Sequence, residues 1–297
     1  MAEVLKMVTF FEQLRMKLMS QQWFNTVLGG MPRPVRWILR AAYFAPLDFA
    51  DYLSGRKDPT IPPRRINFTG AVTDLQASRE QLKHRLISMA GLTPASRVLE
   101  LGCGFGRLGI PLIDYLDKDG LYEGIDIVCS AIDWCSRNVK GPHGNIHFTH
   151  ADVYNGEYNP HGRIQSSEYR FPFEDSTFDL VVLISVFTHM LPTEVDHYLS
   201  EIARVLKPGG RCYASYSIIN ERVKARMAEG VASLNFKHDL DTHWLLTTST
   251  PELGAAYEEG YLRTLYGTHN LDFEFHPGGW SEGLGTGSQD VVVARRM

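Results

Sequence analysis

Residues 179–185 read DLVVLIS, apolar at almost every position. A strand with one wet face alternates polar and apolar residues. A run without that alternation belongs to a strand covered on both faces, as in a parallel sheet between layers of helices. The neighbouring segments agree. Residues 97–101 read as a short strand, followed by a glycine-rich turn over 102–106 and a helix from Arg107 to about Leu116. Strands at 121–126 and 145–149 flank a helix at 130–138. Over 193–206, Val195, Leu199, Ile202, Val205 and Leu206 recur at helical spacing. Lys207-Pro208-Gly209-Gly210 ends that helix, and 211–216 is a fifth strand. Strands alternating with helices predict a doubly wound α/β sheet with right-handed crossovers.

The chain ahead of this alternation is different in kind. Phe10, Phe11, Leu14, Leu18, Met19, Trp23 and Phe24 fall at helical spacing, and residues 35–44 form a second apolar and basic stretch that Pro46 ends or kinks. Pro59, Pro62 and Pro63 mark a linker, and a helix follows over 75–90 with Leu82, Leu86 and Met89 on one face. The expected division is a helical extension over 1–65 and a main domain over 66–297. Residues 1–65 carry ten Lys/Arg against five Asp/Glu, a balance of +5, so a total of −4 leaves −9 on the rest. An acidic main domain argues against nucleic acid as its partner. The basic front end reads either as a helical lid or as an arm over residues 1–56 making peripheral contact with an anionic membrane, where Arg33, Arg36 and Arg40 accompany Trp37, Ile38 and Leu39. The first twenty residues hold Glu3, Lys6, Glu12, Arg15 and Lys17, so no signal-peptide core is expected. Cys103, Cys129, Cys135 and Cys212 show neither CxxC pairing nor zinc spacing, which points to reduced thiols of a cytoplasmic protein and no metal.

Four motifs carry chemistry. Residues 98–107, VLELGCGFGR, lie at a strand-to-helix junction, where glycines permit a tight turn and close approach of a ligand to the backbone. The spacing is GxGxG, and Arg107 stands where a dinucleotide fingerprint wants glycine, which disfavours NAD. Asp126 ends the next strand, 24 residues past Gly102, where a carboxylate can accept both ribose hydroxyl protons or simply cap a helix. Asp152 and Val153 follow the third strand; they can meet an adenine amino group and its face, or form a surface turn. The fourth motif, FPFEDSTFDLVVLISVFTHM, brings His189 to the end of strand four, where ligands of such sheets sit. That histidine is a candidate base, a substrate donor or a structural group.

The order and spacing of these parts, with EIARVLKPGGR after them, resemble class I S-adenosylmethionine-dependent methyltransferases over residues 97–216. The resemblance implies a seven-stranded, mostly parallel sheet whose last strand, near 290–294, inserts antiparallel. It implies S-adenosyl-L-methionine as cofactor and S-adenosylhomocysteine as product. By position it assigns the loop under the methionine moiety to Glu100, Gly102, Cys103, Gly104, Gly106 and Arg107. It gives the ribose to Asp126, the adenine to Ile127, Asp152 and Val153, and the methionine end to Ser185.

Residues 153–171 are longer than the family's short form. Their polar and aromatic content suggests acceptor binding through Asn155 and Tyr169, beside His189. His189 is the first choice of base, with Tyr154, His150 and His161 behind it. No Asp/Asn-Pro-Pro-Tyr/Phe run follows strand four, as amine methylation of nucleic-acid bases commonly uses. The expected acceptor is therefore a small, perhaps amphiphilic, molecule with a hydroxyl or thiol. A non-catalytic cofactor-binding subunit and a membrane-peripheral enzyme acting on a lipid or lipid-linked glycan are the alternatives. Residues 218–265 leave the sheet after strand five and are expected to cover the acceptor, with a helix over 251–266. The oligomeric state is open.

Overall fold

The computed structural model describes residues 33–54, 58–67, 75–285 and 288–297. The helix expected around Phe10 to Phe24 lies outside them. The chain divides into two compact units, 1–71 and 72–297.

In the first unit, helix α1 spans Arg33–Ser54 and continues through Pro46, where the sequence suggests an end or a kink. Phe44, Leu47 and Asp48 form its buried side. The Asp48 carboxylate accepts the backbone N–H groups of Arg64 (2.8 Å) and Arg65 (3.2 Å), which fastens the proline-rich turn to the helix.

The second unit opens with α2 (Leu75–Ala90). Its main sheet has seven strands in the order β10-β11-β5-β4-β1-β2-β3. These are β1 (Arg97–Leu101), β2 (Leu121–Asp126), β3 (Ile146–His150), β4 (Phe178–Leu183), β5 (Leu206–Tyr216), β10 (Glu274–His276) and β11 (Asp290–Arg295). β1 to β5 run parallel, and β11 runs antiparallel between β5 and β10. Helices α3 (Gly109–Leu112), α4 (Cys129–Asn138), α5 (Pro192–Val205) and α7 (Glu259–Thr268) connect or flank these strands. The strand order reverses between β1 and β4, the crevice where ligands of open α/β sheets bind. As expected from DLVVLIS, Leu180 to Leu183 are all buried.

Three local expectations need correction. The helix after the glycine loop is only four residues long, because Gly109 and Pro111 are poor helix formers. β5 starts at Leu206, so Lys207-Pro208-Gly209-Gly210 is strand and not a free turn. Gly209 sits at φ +79°, and the β4–β5 register shifts there between Phe178 and Leu180. Third, Ala255–Glu258 is a strand, β9, and the helix begins only at Glu259. Ala255, Ala256 and Tyr257 are fully buried, and their pairing with two other strands overrides alanine's helical preference.

That strand belongs to a second sheet, ordered β6-β9-β8-β7, with β6 (Ile218–Ile219), β7 (His238–Asp239) and β8 (His243–Leu245). Helix α6 (Glu221–Ala228) lies beside it. Ile219, Val223, Met227, Phe236, Ala256 and Trp280 give this part a small core of its own.

Candidate functional site

The carboxyl ends of β1, β2, β3 and β4 share one edge of the sheet, together with the start of antiparallel β11. The glycine loop leaves β1 there. Gly102 and Cys103 donate their N–H groups to Ile125 O at 2.8 and 3.0 Å, binding the loop to β2. Gly102, Gly104 and Gly106 have φ of +74°, +50° and +71°. At Gly102 an added Cβ would lie 2.5 Å from Val186 Cγ2, although the residue itself is exposed. A glycine that leaves open backbone beside a stiff neighbour is a cradle of the kind a ligand needs.

Asp126 is buried at the end of β2. Its Oδ2 accepts Gly104 N–H at 2.7 Å and its Oδ1 accepts Val128 N–H at 2.8 Å. It thus shapes the loop from the end of β2. Each carboxylate oxygen retains a further lone pair for a hydroxyl. Burial raises its pKa; the N–H groups of Val128 and Gly104 and the His150 ring offset part of that.

Under the loop, Glu100 is buried and accepts a hydrogen bond from the Tyr122 hydroxyl. Burial pushes the Glu100 carboxyl up to about 8. The thiols of Cys103 and Cys135 both point at Gly104 O, at 3.9 and 3.5 Å. The Cys103 side chain, expected among the cofactor contacts, is therefore enclosed beneath the loop, and burial holds its thiol well above the usual range. The Arg107 guanidinium donates to Ser78 Oγ on α2 at 2.9 Å. Ile127 is half-buried, and its carbonyl lies 3.2 Å from His150 Nε2.

After β3 the chain folds back on itself. The Asp152 carboxylate pairs with Arg163, whose hydrogen bond lowers its pKa, and Asp152 O accepts the N–H groups of Arg163 and Ile164, each at 3.0 Å. Val153 is bridged to Ile164 and is 2% exposed, its side chain packed in the main core. Tyr169 is packed in the same way. It is buried against Phe171, near Tyr198, because the loop's return strand must close over the core before β4. Tyr154 is exposed.

At the end of β4, Ser185 sits at φ +58°, a conformation unusual for a residue with a side chain. Its N–H donates to Ser215 Oγ at 2.7 Å, and its hydroxyl donates to Gln289 Oε1 at 2.9 Å. Ser215 also donates to Gln289 Oε1, at 2.7 Å. Gln289 was missed in the sequence; the signal was its place just before an antiparallel strand, which returns it to this edge.

His189 ends a single 3₁₀ turn, Phe187–His189. Its Nδ1 lies 2.8 Å from Glu252 O. A carbonyl only accepts, so Nδ1 carries a proton toward it, and in that tautomer the lone pair lies on Nε2. Asn155 Nδ2 donates to His189 O at 3.4 Å, and the Tyr158 ring meets the imidazole edge-on at 5.5 Å. Asn155 Oδ1 accepts the N–H groups of Glu157 and Tyr158 at 3.0 and 2.9 Å, which makes it mainly a loop former. The Tyr257 hydroxyl donates to Met190 O. Segments 154–158, 187–190 and 251–258 therefore meet at this point. Among the described residues no group of three or more His, Cys, Asp or Glu is placed to hold a metal ion.

Residues 98–210 match the family model described as a methyltransferase domain. The tRNA N(3)-cytidine methyltransferase METTL2 of Gallus gallus is 28% identical over 49% of this chain and 38% of its own length. The fatty-acid O-methyltransferase of Mycolicibacterium smegmatis is 31% identical over 44% of this chain and 40% of its own length. The chain spans less than half the length of the curated relatives it matches. Among solved structures, the PH0226 protein of Pyrococcus horikoshii superimposes with a TM-score of 0.52 at 18% identity, covering 76% of this chain and 92% of that one. An S-adenosylmethionine-dependent methyltransferase of Mesorhizobium loti gives 0.50 at 16% identity, covering 75% of this chain and 100% of that one. These likenesses support the fold, and the glycine cradle with Asp126 fits the cofactor. Residues 98–210 match a methyltransferase domain, and the chain has the Rossmann-like class I fold shared by S-adenosylmethionine-dependent methyltransferases.

Proposed function

We propose that the protein methylates an oxygen or sulfur nucleophile, a hydroxyl or thiol, on a small amphiphilic molecule. The observation that carries this reading is His189. Its Nδ1 is committed to Glu252 O, and its acceptor nitrogen is left available near the end of β4. When bound, S-adenosylmethionine supplies an electrophilic methyl carbon on a sulfonium with a good leaving group. Gly102, Gly104 and Asp126 would hold it, with Ile127 and Asp152 near its nucleoside. The chain's own work is then alignment and exclusion of water. Ser185 and Gln289 fix the edge beside β4, and segments 154–158 and 251–258 flank His189. For a hydroxyl acceptor, His189 Nε2 takes the proton as the new carbon–oxygen bond forms. A thiol ionises more readily and depends on that base less.

A second reading, methylation of a tRNA base, is favoured by the names of several relatives, among them METTL2 of Gallus gallus and of Danio rerio. The balance of −9 over residues 66–297 opposes it, since phosphate contacts call for Lys and Arg. A labelled-donor screen decides between them. Thiols, hydroxylated lipids, sugars, phenols and bulk tRNA would be offered in parallel. Label on a hydroxyl or thiol supports the proposal. Label on tRNA alone overturns it in favour of the second reading. Binding of S-adenosylhomocysteine with no product on any class leaves the role of a non-catalytic subunit.

A further inference from the structure

Helix α1 turns an apolar stripe to solvent. Positions 35, 38, 39, 42, 46, 49 and 53 follow helical spacing along one face, and all are apolar. Ile38 is 67% exposed, Phe49 61% and Leu53 68%, with Val35 and Leu39 also exposed. At 1.5 Å per residue the stripe is about 27 Å long. The opposite side is already used, by Phe44, Leu47 and Asp48. Scattered apolar residues on a surface are ordinary, but a continuous stripe of this length marks a docking surface.

Charge identifies the occupant. Residues 1–65 hold ten Lys/Arg against five acids. Asp51 pairs with Arg64 and Asp48 with Arg65, which uses two acids and two bases and leaves the surplus at +5. An apolar helical face with a basic surplus is the composition of a helix lying in the plane of a membrane interface. A nucleic acid would use the charge but leave the stripe in water. A second copy would bring two +5 segments together. No helix among the described residues is long and apolar enough to cross a bilayer.

We propose that the exposed face of α1 docks the protein on an anionic lipid membrane. The proposal goes beyond the methyl-transfer reading and does not depend on it, because binding is read without turnover. The full chain should sediment with vesicles of phosphatidylglycerol mixed with phosphatidylcholine, and less with phosphatidylcholine alone. Added salt should weaken the first binding. Ile38→Glu combined with Leu53→Glu should lower affinity for the mixed vesicles at least about tenfold, and Phe49→Ser alone about threefold or more. Calorimetric binding of S-adenosylhomocysteine together with a far-ultraviolet circular dichroism spectrum, both unchanged in the variants, shows that the second unit and α1 are folded. Failure of the full chain to sediment with the mixed vesicles overturns the proposal, as does undiminished binding by both folded variants. Retention of tRNA or formation of a dimer, lost in these variants while vesicles are ignored, also overturns it.

Discussion

Glu100 gives the fold a pH dependence that one substitution should remove. The carboxyl is buried under the glycine loop, and burial pushes it from 4.5 to about 8, against the opposing effects of the Tyr122 hydroxyl and Arg107. The folded protein thus holds a proton that the unfolded chain releases near pH 4.5. The stabilisation from keeping that proton is complete below pH 4.5. It is lost progressively as pH rises towards 8, and no further loss follows above that. A gap from 4.5 to about 8 is roughly 3.5 pH units, on the order of 4–5 kcal/mol at about 1.4 kcal/mol per unit. About 3.5 kcal/mol of that falls between pH 5 and pH 8, which at about 2–4 °C per kcal/mol for a unit of this size lowers Tm by roughly 7–14 °C. Glu100→Gln keeps an acceptor for the Tyr122 hydroxyl and cannot ionise. Its melting temperature should equal the parent's near pH 5 and exceed it at pH 8. Differential scanning calorimetry of both proteins across this range, without cofactor, isolates the contribution of Glu100 from other titrating groups. Parallel curves would refute the reasoning, because they would mean that the carboxyl is charged in the folded state throughout.

Asp126→Ala removes the acceptor of Gly104 and Val128 N–H, and should weaken S-adenosylhomocysteine binding about tenfold to a hundredfold by calorimetry. Gly102→Ala meets both a positive φ and the Val186 methyl group at 2.5 Å; it should cost roughly 2–4 kcal/mol in a denaturant titration. His189→Ala should cut the rate on a hydroxyl acceptor about 10²–10⁴-fold and leave S-adenosylhomocysteine affinity within a factor of about two, with a smaller loss on a thiol. Full activity of that variant on every accepted substrate would remove the base.

The sequence was most legible where structure is local. The glycine loop and Asp126 lie within one strand–helix–strand segment, and the residue types that make a tight turn and a carboxylate at a strand end are visible in the chain itself. β1 and β4 were equally plain, because burial on both faces leaves an apolar run, whereas β3, an edge strand with most of its residues exposed, was legible from its place in the alternation. Legibility failed where a role depends on partners far along the chain. Ala255–Glu258 carries residues that favour a helix, and only its pairing with β6 and β8 makes it a strand. Val153 and Tyr169 looked like ligand contacts from their neighbours, yet the loop's fold directs both inward. Glu252 acts on His189 through a backbone carbonyl, which no side-chain pattern can reveal.

The same distinction divides the proposed site into a proposed cofactor half and a proposed acceptor half. The cofactor half is built from residues 102–128, held by bonds from the glycine loop and the β2 end to one another. The acceptor half is assembled from segments far apart: Asn155 with His189, His189 with Glu252, Ser185 with Gln289. The antiparallel last strand makes the second half buildable, because it enters the sheet at the carboxyl edge. Asp290, its first residue, is buried and accepts Ile218 N–H at 2.8 Å, Gly278 N–H at 2.7 Å and Trp280 Nε1–H at 2.6 Å. One carboxylate therefore fastens the start of the second sheet and the glycine-rich hairpin to the strand that carries Gln289 to Ser185. Three donors on a buried acid leave little freedom, so Gln289 is placed by rigid structure although its hairpin is mostly loop. Changes in 154–164 or 238–254 would then reshape the proposed acceptor side while leaving the bonds of the glycine loop to Asp126 in place, which is how one fold can serve different acceptors.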